Sequence, residues 1–289
     1  FHNTRVNFRK ALLMRFVTRA PRSLVMVVCG AMAVWLATLS PRVPGLPIAD
    51  AASRSQSAPQ PAASAGQPLR VLFLGQEQAT HPAAGIYQSI GAPLARKGIQ
   101  LTPVLSPAAL TPERLRYYDA VIIYGNHTTL APAEEKALLD FVESGKGLVA
   151  LHSASDMFGG SERYATLIGA QSKRQGAPSE FTPEVVQSSH PAVQGLKPFA
   201  TFDEGVVFTK QNAAGRTVLM ERVDGTGRTP WTWVRDQGKG KVFYTAYGHD
   251  ERTWNNPAFQ DLVERAVVWS VPEAARQAHR QLTMPAVTY

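Results

Sequence analysis

Between residues 69 and 153 the chain alternates short, uninterruptedly apolar runs with stretches of helical spacing, and few folds accept that pattern. "LRVLFLG" (69–75) reads as a buried strand, "AAGIYQSIGAPLARKG" (83–98) as a helix ended by Gly98, and "IQLTPVL" (99–105) as a second strand. A short helix follows at 111–118, with Thr111 as cap and Pro112 in its first turn, then a third strand, "DAVIIYG" (119–125). The helix predicted over 131–147 turns Leu138, Leu139, Phe141 and Val142 inward and is closed by Gly145; "LVALHS" (148–153) is a fourth strand and 161–170 a further helix. Strands apolar on both faces and separated by helices imply a doubly wound α/β architecture, a mostly parallel sheet with helices on both sides.

The second half adds β-rich pieces at 181–187, 206–210, 217–223, 229–236 and 240–248, then an amphipathic helix over 256–270 that stops before Pro272. The tail, 272–289, shows no packing pattern, so the folded domain is expected over 69–271. On such sheets ligands bind beyond the carboxyl ends of the strands. Polar residues gather there: Gln76, Glu77 and His81 after the first strand, Asn126 and His127 after the third, His152, Ser153 and Asp156 after the fourth.

The net charge of +8 is concentrated at the front, where residues 1–51 carry seven Lys/Arg against the single acid Asp50. The rest is nearly balanced, which argues against nucleic acid as a partner. The front segment has the parts of an export signal: basic "MRFVTRAPRS", apolar "LVMVVCGAMAVWLATL" (24–39) and small-residue "ADA" at 49–51. The apolar run is shorter than the ~20 residues a spanning helix needs. A cleaved signal and a periplasmic or secreted product are therefore expected, the alternative being an uncleaved leader as the only membrane contact. Translation from Met14 gives the leader an ordinary length, with residues 1–13 upstream of the true start. Residues 52–68, rich in Ala, Ser, Pro and Gln, read as a disordered linker. The one cysteine, Cys29, leaves with the leader, so the mature chain has no thiol nucleophile.

No phosphate loop, dinucleotide fingerprint, HExxH or GxSxG occurs. His152 ends an apolar strand, where a polar side chain needs a partner, and His249 ends an equivalent strand after Gly248. Each stands about evenly between a functional residue and a satisfied interior or strand-end histidine. Asp203 and Glu204, between apolar residues, suit an anchor for a histidine or a proton carrier, although a capping loop is the plain reading. His127 reads as a solvated loop residue and His190 as a turn residue held by Pro191. Trp231, Trp233 and Trp254 offer faces on which a sugar ring stacks, or core bulk.

Taken in order, these pieces resemble the ThuA-like family, named for trehalose utilisation, whose flavodoxin-like fold belongs to the class I glutamine amidotransferase-like group. The resemblance covers about 69–271. It is carried by "RVLFLG", "YDAVIIYGN", "FVESGKGLVALHSASD", "YATLIGA", "SSHPAVQGLKPFATFDE" and above all "PWTWVRDQGKGKVFYTAYGHDERTW". It puts His152 where glutamine amidotransferases hold a nucleophilic cysteine on a sharp turn, which implies no glutaminase chemistry. Two departures stand out: no histidine follows "GA" in "GAQSKRQGAPSEF", and "DEGVVF" lacks the tyrosine the family often has after Asp-Glu.

The resemblance implies carbohydrate metabolism, with a glucoside or a 3-keto sugar as ligand. His152, His249, Asp203 and Glu204 are the expected catalytic set, with His81, Asn126, Ser153, Trp233 and Trp254 for binding. A non-catalytic sugar-binding domain stays open as the alternative. So does a divalent metal site gathered from His81, His152, His249 and Asp203.

Overall fold

Five parallel strands run through the centre of the structure, a computed structural model that describes residues 66–77, 82–225 and 227–283, all within the unit Ala58–Tyr289. The leader, most of the linker and His81 lie outside the described residues. The elements are β1 (Leu69–Leu74), α1 (Ala83–Arg96), β2 (Ile99–Val104), α2 (Pro112–Leu115), β3 (Ala120–Ile123), α3 (Pro132–Glu143), β4 (Gly147–Leu151), α4 (Glu162–Ile168) and β5 (Ala170–Phe181). There follow β6 (Glu184–Val185), β7 (Thr201–Gln211), β8 (Arg216–Asp224), β9 (Gly227–Gln237), β10 (Gly240–Thr245), α5 (Glu251–Trp254), α6 (Pro257–Ser270) and α7 (Glu273–Thr283).

The main sheet has eight strands in the order β2-β1-β3-β4-β10-β9-β8-β6. Strands β2, β1, β3, β4 and β10 are mutually parallel, and β9, β8 and β6 continue the sheet antiparallel. The doubly wound, flavodoxin-like reading therefore holds. Every residue of β3 and β4 is buried, which is why both read as unbroken apolar runs. Each side chain such as Val121, Ile122 or Leu148 contributes about 1.5–3 kcal/mol by leaving water. On one side α1, α5 and α6 pack together, on the other α3 packs with α2 and α4, and β10 touches α3, α4 and α6. Among the described residues no helix is long and apolar enough to cross a membrane.

Three expectations are corrected. First, "GAQSKRQGAPSEF" carried no strand signal, yet it forms β5, paired antiparallel with β7 in a separate two-stranded sheet. Pairing across strands, not apolar alternation, makes this element, so the local sequence is silent about it. Second, Asp203 and Glu204 lie inside β7 and not in a capping loop. Third, the tail is not unpacked: α7 buries His279, whose Nε2 meets the Lys97 carbonyl at 2.7 Å, and the Gln67 N–H donates to Ala278 O at 3.2 Å.

Arg276 of α7 also satisfies the open end of α6. Its Nε donates to Val268 O at 2.8 Å, and its Nη2 to Trp269 O at 2.7 Å and Val271 O at 2.9 Å. The last carbonyls of a helix have no partner within it, so a guanidinium there replaces water. Arg276→Ala is expected to lower stability by about 2 kcal/mol, the loss of charged hydrogen bonds, read as a lower urea midpoint at unchanged slope.

Candidate functional site

The carboxyl ends of β4 and β10 lie side by side, with Ala150 in register with Tyr244 and Leu151 with Thr245. His152 leaves β4 directly into a single 3₁₀ turn, His152–Ser155, and takes φ 50°, a left-handed conformation that a residue with a Cβ rarely adopts. This is the sharp turn on which the resemblance places a nucleophile, here bearing an imidazole. Its strain, on the order of 1–3 kcal/mol, is held by surrounding bonds. His152 Nδ1 donates to Ala246 O at 3.0 Å, Tyr244 OH donates to His152 O at 3.2 Å, and Ser153 Oγ donates to Gly125 O at 2.6 Å.

Gly248, at φ 133°, makes the second turn possible. A Cβ there would lie 3.0 Å from His152 Cβ and 3.2 Å from Trp254 Cζ2. The result is that His249 comes back over His152, with ring centroids 5.9 Å apart.

The small sheet supplies the carboxylates. Asp203 is fully buried with Oδ2 3.6 Å from His152 Nδ1, and its Oδ1 accepts from the Glu204 N–H at 2.9 Å. Glu204 Oε2 is 2.9 Å from His249 Nδ1, both side chains being partly exposed. One ligand atom from each of His152, Asp203, Glu204 and His249 lies within 4.8 Å of the others. Two nitrogens and two oxygens in so small a space suit Zn or Mn, and suit proton transfer equally well. With its Nδ1 hydrogen directed to Ala246 O, His152 keeps Nε2 as its reactive nitrogen, while the Glu204 carboxylate lies beside His249 Nδ1 as a charge partner.

A cleft of about 310 Å³ opens beside this cluster, lined in part by His249, Tyr124, Trp254, Ile86, Asp250 and Glu251. Trp254 packs edge-on to Tyr124 at 4.9 Å, and its indole N–H donates to Gly248 O at 2.8 Å, so the ring is fixed. Tyr247, missed in the sequence, stacks on Phe199 at 4.6 Å; burial, and then the charge of Asp203, push its phenol well above the ordinary value, keeping it a neutral donor. No spacing rule pointed to Tyr124 or Tyr247, since their roles come from contacts distant in sequence.

The other expected residues are placed as follows. Trp233 does not line the cleft: it is buried, donates to Ile168 O at 2.7 Å and stacks on Tyr244 at 4.1 Å, so the plain core reading replaces the binding one. Ser153 is buried with its hydroxyl on Gly125 O, and Asn126 bonds through its backbone N–H to Gln76 Oε1 at 2.7 Å. His81 lies outside the described residues. His127 is half-buried, not solvated, its Nε2 3.0 Å from Gly75 O. His190 does hold a turn, accepting the Ala192 N–H at 3.2 Å.

Asp250 caps α5, the helix that carries Trp254, by accepting the Arg252 N–H at 3.0 Å. Burial pushes its carboxyl up, but the Arg252 side chain and the N–H groups of Arg252 and Thr253 outweigh this and hold it below its ordinary value. A depressed carboxyl stabilises the fold fully above its unfolded pKa and loses that contribution as pH falls through the folded one. Asp250→Ala is expected to cost about 1 kcal/mol at neutral pH, the difference from wild type narrowing below about pH 4. Thermal melts at pH 7 and pH 3 check it.

Comparison with known proteins agrees with the geometry. A ThuA-like protein from Bacteroides uniformis aligns with a TM-score of 0.57 at 19% identity, covering 73% of this chain and 94% of that one. A second, from Parabacteroides merdae, aligns with a TM-score of 0.59 at 18% identity, covering 76% and 93%. A β-galactosidase from Bacillus circulans shares the fold over 32% of its own chain, with a TM-score of 0.50 at 13% identity. A sequence search of curated proteins gives no match. The family profile described as ThuA, trehalose utilisation, matches residues 70–270, from the first strand to the end of α6 and so through every residue of the four-member cluster: the chain belongs to the ThuA family.

Proposed function

We propose that the cluster performs acid–base chemistry on an oxidised sugar, a glucoside carrying a 3-keto group. The family's link to trehalose utilisation gives the carbohydrate-related role. The observation that carries the finer reading is the pairing of two histidines with two different carboxylates, one pair buried and one at the mouth of the cleft. Removing the proton beside a ketone leaves its electron pair as an enolate, which needs a base on carbon and an acid at oxygen. His249, with the Glu204 carboxylate 2.9 Å from its Nδ1, serves as base. His152, beside the buried Asp203 charge, serves as the protonated acid. Tyr124 and Trp254 give the cleft an apolar wall for the sugar face. With no cysteine beyond Cys29, amide hydrolysis by a thiolate plays no part. The leader pattern and near-balanced charge of the domain support an exported protein that does not bind nucleic acid.

The test is incubation of the protein with 3-keto and plain glucosides in deuterated water. Deuterium uptake beside the ketone, with a thermal shift on the keto sugar, is expected. A thermal shift without uptake leaves the accessory sugar-binding reading, and neither effect removes both.

A second reading is favoured by the convergence of four ligand atoms within 4.8 Å: a divalent cation held by His152, Asp203, Glu204 and His249. Such an ion supplies an electrophile for the sugar oxygen. Elemental analysis of protein purified without chelator decides. A stoichiometric metal supports this reading, and its absence leaves proton transfer between side chains.

A further inference from the structure

A second cleft, of about 580 Å³, opens at the other end of the sheet, where Lys241 stands in register with Gly147 at the start of β4. Its cations come from four places in the chain: Lys97 after α1, Lys241 on β10, Arg265 on α6, and Arg276 and Arg280 on α7. The carboxylates that answer them are fewer. Lys97 reaches Glu264 at 3.6 Å, Arg265 reaches Asp261 at 2.9 Å, and Arg276 and Arg280 share Glu273, each at 2.8 Å. Counting Asp236, which stands opposite Lys241 in register on β9, five cations thus meet four carboxylates, and Lys241 forms no ion pair among the described residues. Its ammonium lies instead over Trp269, 5.0 Å from the ring centroid, with the His190 ring 5.2 Å away on the same indole.

Burial is the main influence on the titration of both groups, with a neighbouring cation second. Burial, and then Arg276, lower Lys241, with Asp236 and Glu273 acting the other way. Burial, and then Lys241, lower His190.

We propose that this cleft is a second binding site, separate from the histidine cluster, for a small anion of the phosphate class, free or esterified. Lys241 is its central contact, and Arg280 and Lys97 close over it. Lys241, outside any ion pair, gives the anion a cation to meet, and the half-buried Trp269 gives an esterified ligand an apolar surface beside it.

The test is calorimetric titration of the whole protein in low-salt buffer, with inorganic phosphate and with a sugar monophosphate. Saturable binding is expected, weakened about tenfold or more by Lys241→Met and by Arg280→Gln, the loss of one charge-assisted contact in each. Lys241→Met keeps an unbranched chain against Trp269. If it fails to fold, Arg280→Gln, on an exposed turn of α7, decides alone. Tighter binding of the ester identifies an esterified ligand, and equal or tighter binding of phosphate identifies the free ion. No saturable heat with either probe, or binding that neither variant weakens, overturns the proposal. His249→Ala is expected to bind phosphate like wild type, so the fate of this site and that of the sugar chemistry are read separately.

Discussion

His249→Ala is expected to lower deuterium uptake or turnover of a 3-keto glucoside by about 10²–10⁴-fold, the range for loss of a positioned general base, while the fold stays intact. The side chain is partly exposed and its backbone turn is made by Gly248, so little packing is lost with the ring. His152→Ala is expected to remove activity to a similar degree but with a stability change of its own sign. It deletes the bond from Nδ1 to Ala246 O and leaves Asp203 without the imidazole 3.6 Å away. A buried carboxylate stripped of its partner is costly, so His152→Ala combined with Asp203→Asn is expected to be more stable than His152→Ala alone. Urea unfolding of the three variants measures this, and unchanged turnover in both single histidine variants removes the catalytic assignment.

Gly240→Ala is expected to be the most damaging small change, at about 3 kcal/mol or more. A Cβ there falls 1.9 Å from Val142 O and 2.5 Å from Lys146 O, which are backbone atoms at the end of α3 and just before β4. Neither can rotate aside as a side chain would. The start of β10 must move off α3, breaking the Lys239 N–H bond to Glu143 O. Gly176, at φ 80° with open space around it, provides the contrast: Gly176→Ala pays only the left-handed backbone term, about 1–2 kcal/mol. Equal urea midpoints for the two variants would show that the close approach at Gly240 does not matter.

The parallel half of the sheet was legible because its strands are buried on both faces, so that Val121–Ile123 and Leu148–Leu151 must be apolar at every position. The carboxyl-end rule then pointed to His152 and His249 without any contact being known. What was not legible came from pairing. Strand β5 is polar along most of its length and exists because β7 lies beside it. Asp203 and Glu204 could therefore not be placed on a strand, nor Glu204 matched to His249 across two sheets. Trp233 and Trp254 are chemically identical and both fully buried, yet one donates to Ile168 O inside the core and the other to Gly248 O at the cleft wall. Only the partner of each N–H tells them apart.

The left-handed backbone of His152 has a consequence for how such a site changes over time. Besides the imidazole's own bond to Ala246 O, the bend is kept by groups bonded to the backbone around it: Tyr244 on the His152 carbonyl and Ser153 on Gly125, with Gly248 leaving room across the gap. The socket is thus built largely apart from whatever side chain it presents. A family can exchange the reactive group at this one position without rebuilding the turn, so a thiol, a hydroxyl or an imidazole inherits the same orientation. Chemistry at position 152 is replaceable in a single step, while the scaffold that aims it is spread over three strands.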